Sequence, residues 1–270
     1  MAGWWAPLHW DFHPSVILGL AGLGGLYVFL GGRGAPSRRI LAYFASLVVL
    51  LVTLNGPLHD LADESLFSAH MIQHLVLTLV FPPLFLYGLP AWVVRPFLRA
   101  PRLLPLWRWM TRPVQAALIF TVPIVFWHIP RFYEFAMRHH GWHIVQHLIF
   151  LATAVVMWWP VLSPVPELPR AAYPAQLLYL FLLGIPMSVV GAFITLADQP
   201  LYPFYAAAPR LYGLGVLDDQ QIGGLIMWVP GGLIFWIAMT VVWFRWSVRK
   251  EEDADREVPR DAYEEGVRPA

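Results

Sequence analysis

The sequence contains no cysteine and few charged residues. Without cysteine a disulfide framework is excluded, and a site for a soft metal would have to use histidine, methionine or carboxylate side chains. Only 13% of the residues are charged, 58% are hydrophobic and the mean hydropathy is +0.57. An average soluble domain is about 25% charged and about 45–50% apolar. The composition therefore predicts an all-α, polytopic integral membrane protein.

Two other features are missing from the sequence. No basic stretch precedes the first apolar segment and no small-residue cleavage site follows it, so this segment is predicted to be a span and not a cleaved signal peptide. No group of arginines stands apart from the links between apolar segments. We therefore predict the lipid bilayer as a partner and no nucleic-acid partner.

Seven apolar segments approach the roughly 20 residues that a helix needs to cross the hydrocarbon of a membrane. The fourth is the shortest and contains Pro123. The predicted spans run approximately from Pro14 to Leu30, Ile40 to Pro57, Leu66 to Tyr87, Val114 to Trp127, Trp142 to Leu162, Ala175 to Leu196 and Ile222 to Trp246.

Basic residues are distributed unevenly between the two sets of links. Fifteen of the 18 Lys and Arg residues lie in alternate links and in the tail, and the other set holds only Arg131, Arg138 and Arg210. Because cytoplasmic links collect Lys and Arg, the N-terminus is predicted outside and the C-terminus inside a bacterial cell membrane. Residues 1–246 would form the transmembrane domain, and residues 247–270 a charged, disordered cytoplasmic tail.

The phrase His-x-x-Gln-His occurs twice, as HMIQH at residues 70–74 and HIVQH at residues 143–147. Residues four apart share one face of a helix, so each pair of histidines can point the same way. Both phrases open spans that enter from the predicted outer side, and His128 closes the fourth span at a similar level. Ionisable residues at this depth indicate function, so the pattern predicts a metal or haem site in the outer third of the bilayer.

Less specific interpretations apply to several of these residues. The paired histidines could be a hydrogen-bonded cluster that joins helices, and Gln73 or Gln146 could orient a ligand histidine. Of Asp218 and Asp219, one is expected to cap the last helix and the other to reach the histidines. Five further histidines are expected to be ordinary loop residues, namely His9, His13, His59, His139 and His140.

The donor types favour copper, although zinc and haem remain open. Imidazole suits copper, zinc, iron and nickel, and a cysteine-free site that faces an oxidising compartment fits copper best. Met71 and Met227 are candidate soft ligands, but methionine on an apolar helix is more often a packing residue.

Four longer motifs follow one another along most of the chain: SAHMIQHLVLTLVFPPLFLYGLP, FWHIPRFYEFA, WHIVQHLIFLATAVVMWWPVL and LDDQQIGGLIMW. This ordered set resembles the CtaG family of bacterial cytochrome c oxidase assembly proteins. The resemblance implies a seven-helix membrane protein without enzymatic activity that assists oxidase maturation by copper delivery, with oxidase subunits or a copper chaperone as partners. The motif positions carried over are His70, His74, His128, His143, His147 and Asp219.

Three other function classes can be weighed against this one. A membrane di-iron oxidase or desaturase would need more histidine boxes, on the cytosolic side, including an HxxHH type that this sequence lacks. A haem-binding electron carrier could take one histidine from each of the third and fifth spans. A copper transporter could use the histidines as a transient site.

Overall fold

The computed structural model describes residue 10, residues 13–98, residue 100 and residues 103–257, and the regular structure in these ranges is helical. The fold is therefore all-α, as the sequence predicts. The described α-helices are α1 (Pro14–Phe29), α2 (Ser37–Asn55), α3 (Pro57–Glu64), α4 (Phe67–Leu75), α5 (Phe81–Gly88), α6 (Ala91–Leu98), α7 (Leu103–Met110), α8 (Pro113–His128), α9 (Pro130–Arg138), α10 (His140–Leu162), α11 (Tyr173–Thr195), α12 (Pro203–Ala207) and α13 (Val216–Glu257).

Five helical segments in the described ranges are long and apolar enough to cross a membrane, and a sixth results if α7 and α8 are counted as one span bent by 77°. The five are α2, α10, α11, α13 and the continuous segment Phe67–Gly88, which contains α4 and α5. Helix α1 is apolar but has only 16 residues. These helices fit a membrane protein, while the predicted number of seven spans remains a prediction.

Large apolar side chains cover the outer surface of the helix bundle. Four large side chains on the apolar helices α1, α2 and α11 are each at least 72% exposed: Leu18, Phe29, Leu41 and Phe193. A contiguous apolar surface of this kind marks contact with lipid or with a partner and is rare on soluble monomers.

Glycines allow α11 and α13 to approach closely. A Cβ atom at Gly224 would lie 2.7 Å from the backbone nitrogen of Thr195, and one at Gly191 would lie 2.9 Å from the carbonyl oxygen of Gly224. Both distances are too short for a side chain, so α13 is held backbone to backbone against α11.

A π-helical turn, Val76–Val80, separates α4 from α5. Pro82 has no backbone N–H, so the carbonyl of Thr78 lacks its usual intrahelical donor. The indole nitrogen of Trp158 donates to this carbonyl at 3.0 Å. Trp158 is buried and belongs to the core, where its indole supplies the missing donor.

The basic links meet at one end of the bundle. Arg95 pairs with Glu167 at 2.7 Å, and Arg39 donates to the carbonyl of Leu89. At the same end α13 continues as a helix to Glu257, so the tail that the sequence predicts to be disordered from residue 247 begins in helical form. The remaining tail residues, 258–270, lie outside the described residues.

Candidate metal centre

Helices α4 and α10 lie side by side with their histidines facing each other. Within α4 the ring centroids of His70 and His74 are 4.2 Å apart, and within α10 those of His143 and His147 are 4.3 Å apart. Between the helices, His70 lies 5.2 Å from His143 and His74 lies 5.6 Å from His147. The two His-x-x-Gln-His phrases therefore form one cluster.

Three of these histidines form what we call the inner group: His70, His74 and His147. Each offers one ring nitrogen such that these atoms all lie within 4.8 Å of one another, and all three side chains are buried. Donor atoms bound at about 2 Å to one tetrahedral ion lie about 3.3 Å apart. Small ring rotations would bring the three nitrogens to that spacing.

His128 borders the inner group from the end of α8. Its ring lies 5.6 Å from that of His74. Its Nδ1 donates to the carbonyl of Ile124 at 2.6 Å, which leaves Nε2 unprotonated in the neutral ring. This backbone bond fixes the ring, as is usual for metal-ligating histidines. His128 is thus available as a fourth ligand.

Most ring nitrogens of the cluster are buried without a hydrogen-bond partner among the described residues. They are both nitrogens of His70 and His74, and Nε2 of His128, His143 and His147. An unsatisfied buried polar atom costs about 1–3 kcal/mol, so this arrangement is expensive as a packing device. The donor set and its orphaned nitrogens fit a metal ion that imidazole can bind.

A carboxylate lies beside the cluster on α3. The Oδ2 atom of Asp63 is 3.2 Å from Nδ1 of His143, and its Oδ1 atom is 3.6 Å from Nδ1 of His59. Burial alone would raise the pKa of Asp63, but the hydrogen bond from His143 and the nearby rings of His59 and His70 lower it below its usual range. Asp63, His70 and His143 also bring one ligand atom each within 4.8 Å of one another, and we call these three residues the outer group.

A cavity of about 120 Å³ opens beside the two groups, and we call it the side cavity. Asp63, His143 and His147 line it together with His13, His59 and His140. His13 and His59 pack edge to face at 4.9 Å. The interpretation of these last three as ordinary loop histidines therefore needs correction, because they surround the opening to the cluster.

The remaining loop histidines differ from these. His139 is exposed and its Nδ1 donates to the carbonyl of Phe135 at 2.8 Å, which agrees with an ordinary surface role. His9 lies outside the described residues.

Asp219 does not join the histidines. Its Oδ2 accepts from the backbone N–H of Phe67 at 2.8 Å, and its Oδ1 accepts from the N–H and the hydroxyl of Ser68 at 3.1 and 2.5 Å. The first N–H groups of a helix lack internal partners and attract negative charge. Asp219, fully buried on α13, therefore caps α4 and holds in place the helix that carries His70 and His74.

The two motif glutamines have different surroundings. Gln73 donates from Nε2 to the carbonyl of Thr53 at 3.1 Å and lies 3.0 Å from Nδ1 of His59. Gln146 is fully buried, and neither of its amide atoms has a partner among the described residues. Gln73 thus orients His59 and not a member of the inner group.

Buried tyrosines form hydrogen bonds that connect the short segments next to the cluster. Tyr205 donates to the carbonyl of Ala62 at 2.6 Å, Tyr133 donates to the hydroxyl of Tyr205 at 3.2 Å, and Tyr202 donates to the carbonyl of His128 at 2.9 Å. The ring of Tyr133 lies 5.5 Å from that of His70. The tyrosines cover the cluster and leave the side cavity beside it.

Asp63 is the main residue that the sequence analysis missed. It follows His59 by four positions in LHDLADE, the same spacing as in the two histidine pairs. The signal was therefore present, but the segment is short and polar and was assigned to a loop.

Comparisons with known proteins place the chain in a wider group. A family model described as cytochrome c oxidase caa3 assembly factor matches residues 24–249. An uncharacterized protein of Mycobacterium leprae is 24% identical in an alignment of 261 positions that covers 90% of this chain and 39% of that protein. Uncharacterized proteins of Mycobacterium bovis and Mycobacterium tuberculosis are each 23% identical in alignments of 257 positions that cover 85% of this chain and 38% of theirs. The chain thus spans about two fifths of the length of these relatives. No solved structure matches it.

Proposed function

Because the chain belongs to the family of cytochrome c oxidase caa3 assembly factors, we propose that it assists oxidase assembly by holding a copper ion at the inner group and delivering it. His128 would complete the ligand set, and His143 would stand at the entrance. The role is one of binding and transfer, without catalysis. Oxidase subunits, or a copper chaperone that serves them, would receive or supply the ion.

One observation carries this proposal. Imidazole nitrogens from α4, α8 and α10 converge in a buried space, and none of them has a hydrogen-bond partner among the described residues. Imidazole ligands suit copper, zinc and iron. The family's link to a copper-containing oxidase favours copper among these.

Haem fits the site less well than a single metal ion. The rings across the cluster are 5.2–5.8 Å apart between centroids, and the adjacent side cavity measures about 120 Å³. Sites for cofactors of that size usually have volumes of about 300–1,000 Å³. A porphyrin would need α4 and α10 to separate.

Transport through the bundle is also less well supported than delivery. The next turn of α10 below the inner group contributes Phe150, which is fully buried and packs edge to face on His74 at 4.8 Å. Leu77 and Ala154 are fully buried as well. Among the described residues this apolar packing closes the path inward, so an ion that enters from the histidine end would leave from the same end.

We further propose that α1 and α8 complete seven spans, with the histidine end outside and the basic end in the cytoplasm of a bacterial cell. Phosphatase fused after Arg138 should be active, because that enzyme folds only outside, whereas green fluorescent protein should fluoresce when fused after Arg249. The 15-to-3 division of basic residues between the two sets of links supports this orientation. Phosphatase activity at the C-terminal fusion would contradict it.

The function is tested on the purified protein and in cells. Elemental analysis should find copper, and the optical spectrum should lack the Soret band of haem. Cells without the protein should show low oxidase activity at limiting copper, with partial recovery in excess copper because mass action can replace a delivery step. Normal oxidase activity in those cells at limiting copper would refute the assembly role, and a Soret band would favour the electron carrier.

A further inference from the structure

The inner and outer groups share one residue, His70. Both of its ring nitrogens are buried and without a hydrogen-bond partner among the described residues. A neutral imidazole binds a metal through one nitrogen, so His70 can bind an ion in either group but cannot bind one ion in each group at the same time. The two groups are therefore neighbouring positions for an ion, and not two unrelated sites.

We propose that the outer group, Asp63, His70 and His143, is a loading position, where copper that enters through the side cavity binds before it moves to the inner group. This inference rests on the proposed function of the inner group. The oxidation state of the ion does not change. The bonds to Asp63 and His143 are replaced by bonds to His74 and His147, while His70 remains a ligand.

The geometry of the outer group supports this role. Nδ1 of His143 lies 3.2 Å from Oδ2 of Asp63, so an ion that replaces the proton between them would have both atoms as ligands, and that proton would leave through the side cavity. Asp63 is the only carboxylate that lines the side cavity as described, and its side chain is 19% exposed. An ion arriving from outside therefore meets a negatively charged oxygen donor before it meets the fully buried His70 and His74.

The two groups also differ in the affinity that their ligands imply. The inner group is all imidazole and only its His147 lines the side cavity, whereas the outer group includes a carboxylate, and two of its three residues, Asp63 and His143, line that cavity. A mixed and partly exposed set exchanges its ion more readily. We expect the outer position to fill first and to hold copper less tightly.

The first test measures how fast the protein loads. Purified, copper-free full-length protein is mixed with Cu(II), and copper that resists a chelator wash is measured over time. Asp63→Asn should load about tenfold more slowly or worse and reach the same final content. Glu64→Gln, which changes an exposed carboxylate on the same helix, should load like the wild type. Unchanged loading in Asp63→Asn would overturn the proposal, and so would a loss of the final copper content, since Asp63 would then be needed to hold copper at the inner group itself.

The second test examines the outer position without the inner one. The double variant His74→Ala/His147→Ala is titrated with Cu(II) and followed by electron paramagnetic resonance. One chelator-labile Cu(II) with nitrogen and oxygen ligands should bind, and adding Asp63→Asn should abolish it. If the wild type retains no chelator-resistant copper but this site binds, the delivery function fails and the outer site stands. If the wild type retains copper but the double variant binds none, the loading position alone is refuted. If the double variant does not fold, the loading rate of Asp63→Asn decides whether the loading position exists.

Discussion

His74→Ala should remove the chelator-resistant copper from the purified protein, leaving less than about one tenth of the wild-type content. His74 lies between the other members of the cluster, with its ring 4.2 Å from His70, 5.6 Å from His147 and 5.6 Å from His128. Its loss takes one donor from a small shared set, so the remaining imidazoles cannot hold the ion tightly. His147→Ala should have the same effect, because the two phrases supply one site and not two.

A surface histidine provides the control for this experiment. His139→Ala changes an exposed ring next to α10 and should leave the copper content unchanged. Size-exclusion profiles of all three variants should match the wild type. If His74→Ala is unstable, His147→Ala serves as the test, because His147 lines the side cavity and its loss disturbs the packing less. Full copper retention in both variants would make the histidines a structural cluster that joins the helices.

Asp219→Ala should cause a large loss of thermal stability in detergent. The carboxylate accepts from two backbone N–H groups at the buried start of α4. Each would be left unsatisfied at a cost of about 1–3 kcal/mol, so the total for the two is about 2–6 kcal/mol. Copper retention should fall in the same variant, because α4 carries two members of the inner group.

The neighbouring residue separates capping from metal binding. Asp218→Ala changes an exposed carboxylate on the same turn and should shift the melting temperature little, as is usual for surface substitutions. Asp219→Asn, which keeps one acceptor oxygen, should be intermediate. A variant Asp219→Ala that melts like the wild type but loses copper would contradict the capping role and restore the ligand role that the sequence suggests.

Much of this architecture could be predicted from local patterns. Apolar length located the main spans within a few residues, and the four-residue spacing placed each histidine pair on one helix face. The equal depth of the two pairs followed from the alternation of basic links. These features depend on periodicity and composition, which act over a few turns of a single helix.

The contacts between distant segments could not be predicted in this way. Asp219 caps a helix that begins 152 positions earlier in the chain, and no local pattern distinguishes such a cap from a metal ligand. Asp63 and His59 became part of the site only because the short helix α3 folds over the mouth of the cluster. The hydrogen bond from Trp158 to the Thr78 carbonyl likewise has no local signal, because it joins segments 80 positions apart in the chain.

The π-helical turn after His74 also sets the rotational phase of the third predicted span. A regular helix advances about 100° per residue, so the extra residue in the turn offsets everything beyond Val80 relative to everything before Val76. Upstream, this span must aim His70 and His74 at α10. Downstream, it must present Gly88 to α2, where a Cβ would lie 2.6 Å from the backbone nitrogen of Tyr43. The turn thus lets one continuous helical segment face two neighbours along directions that differ by about 100° from those of an unbroken α-helix.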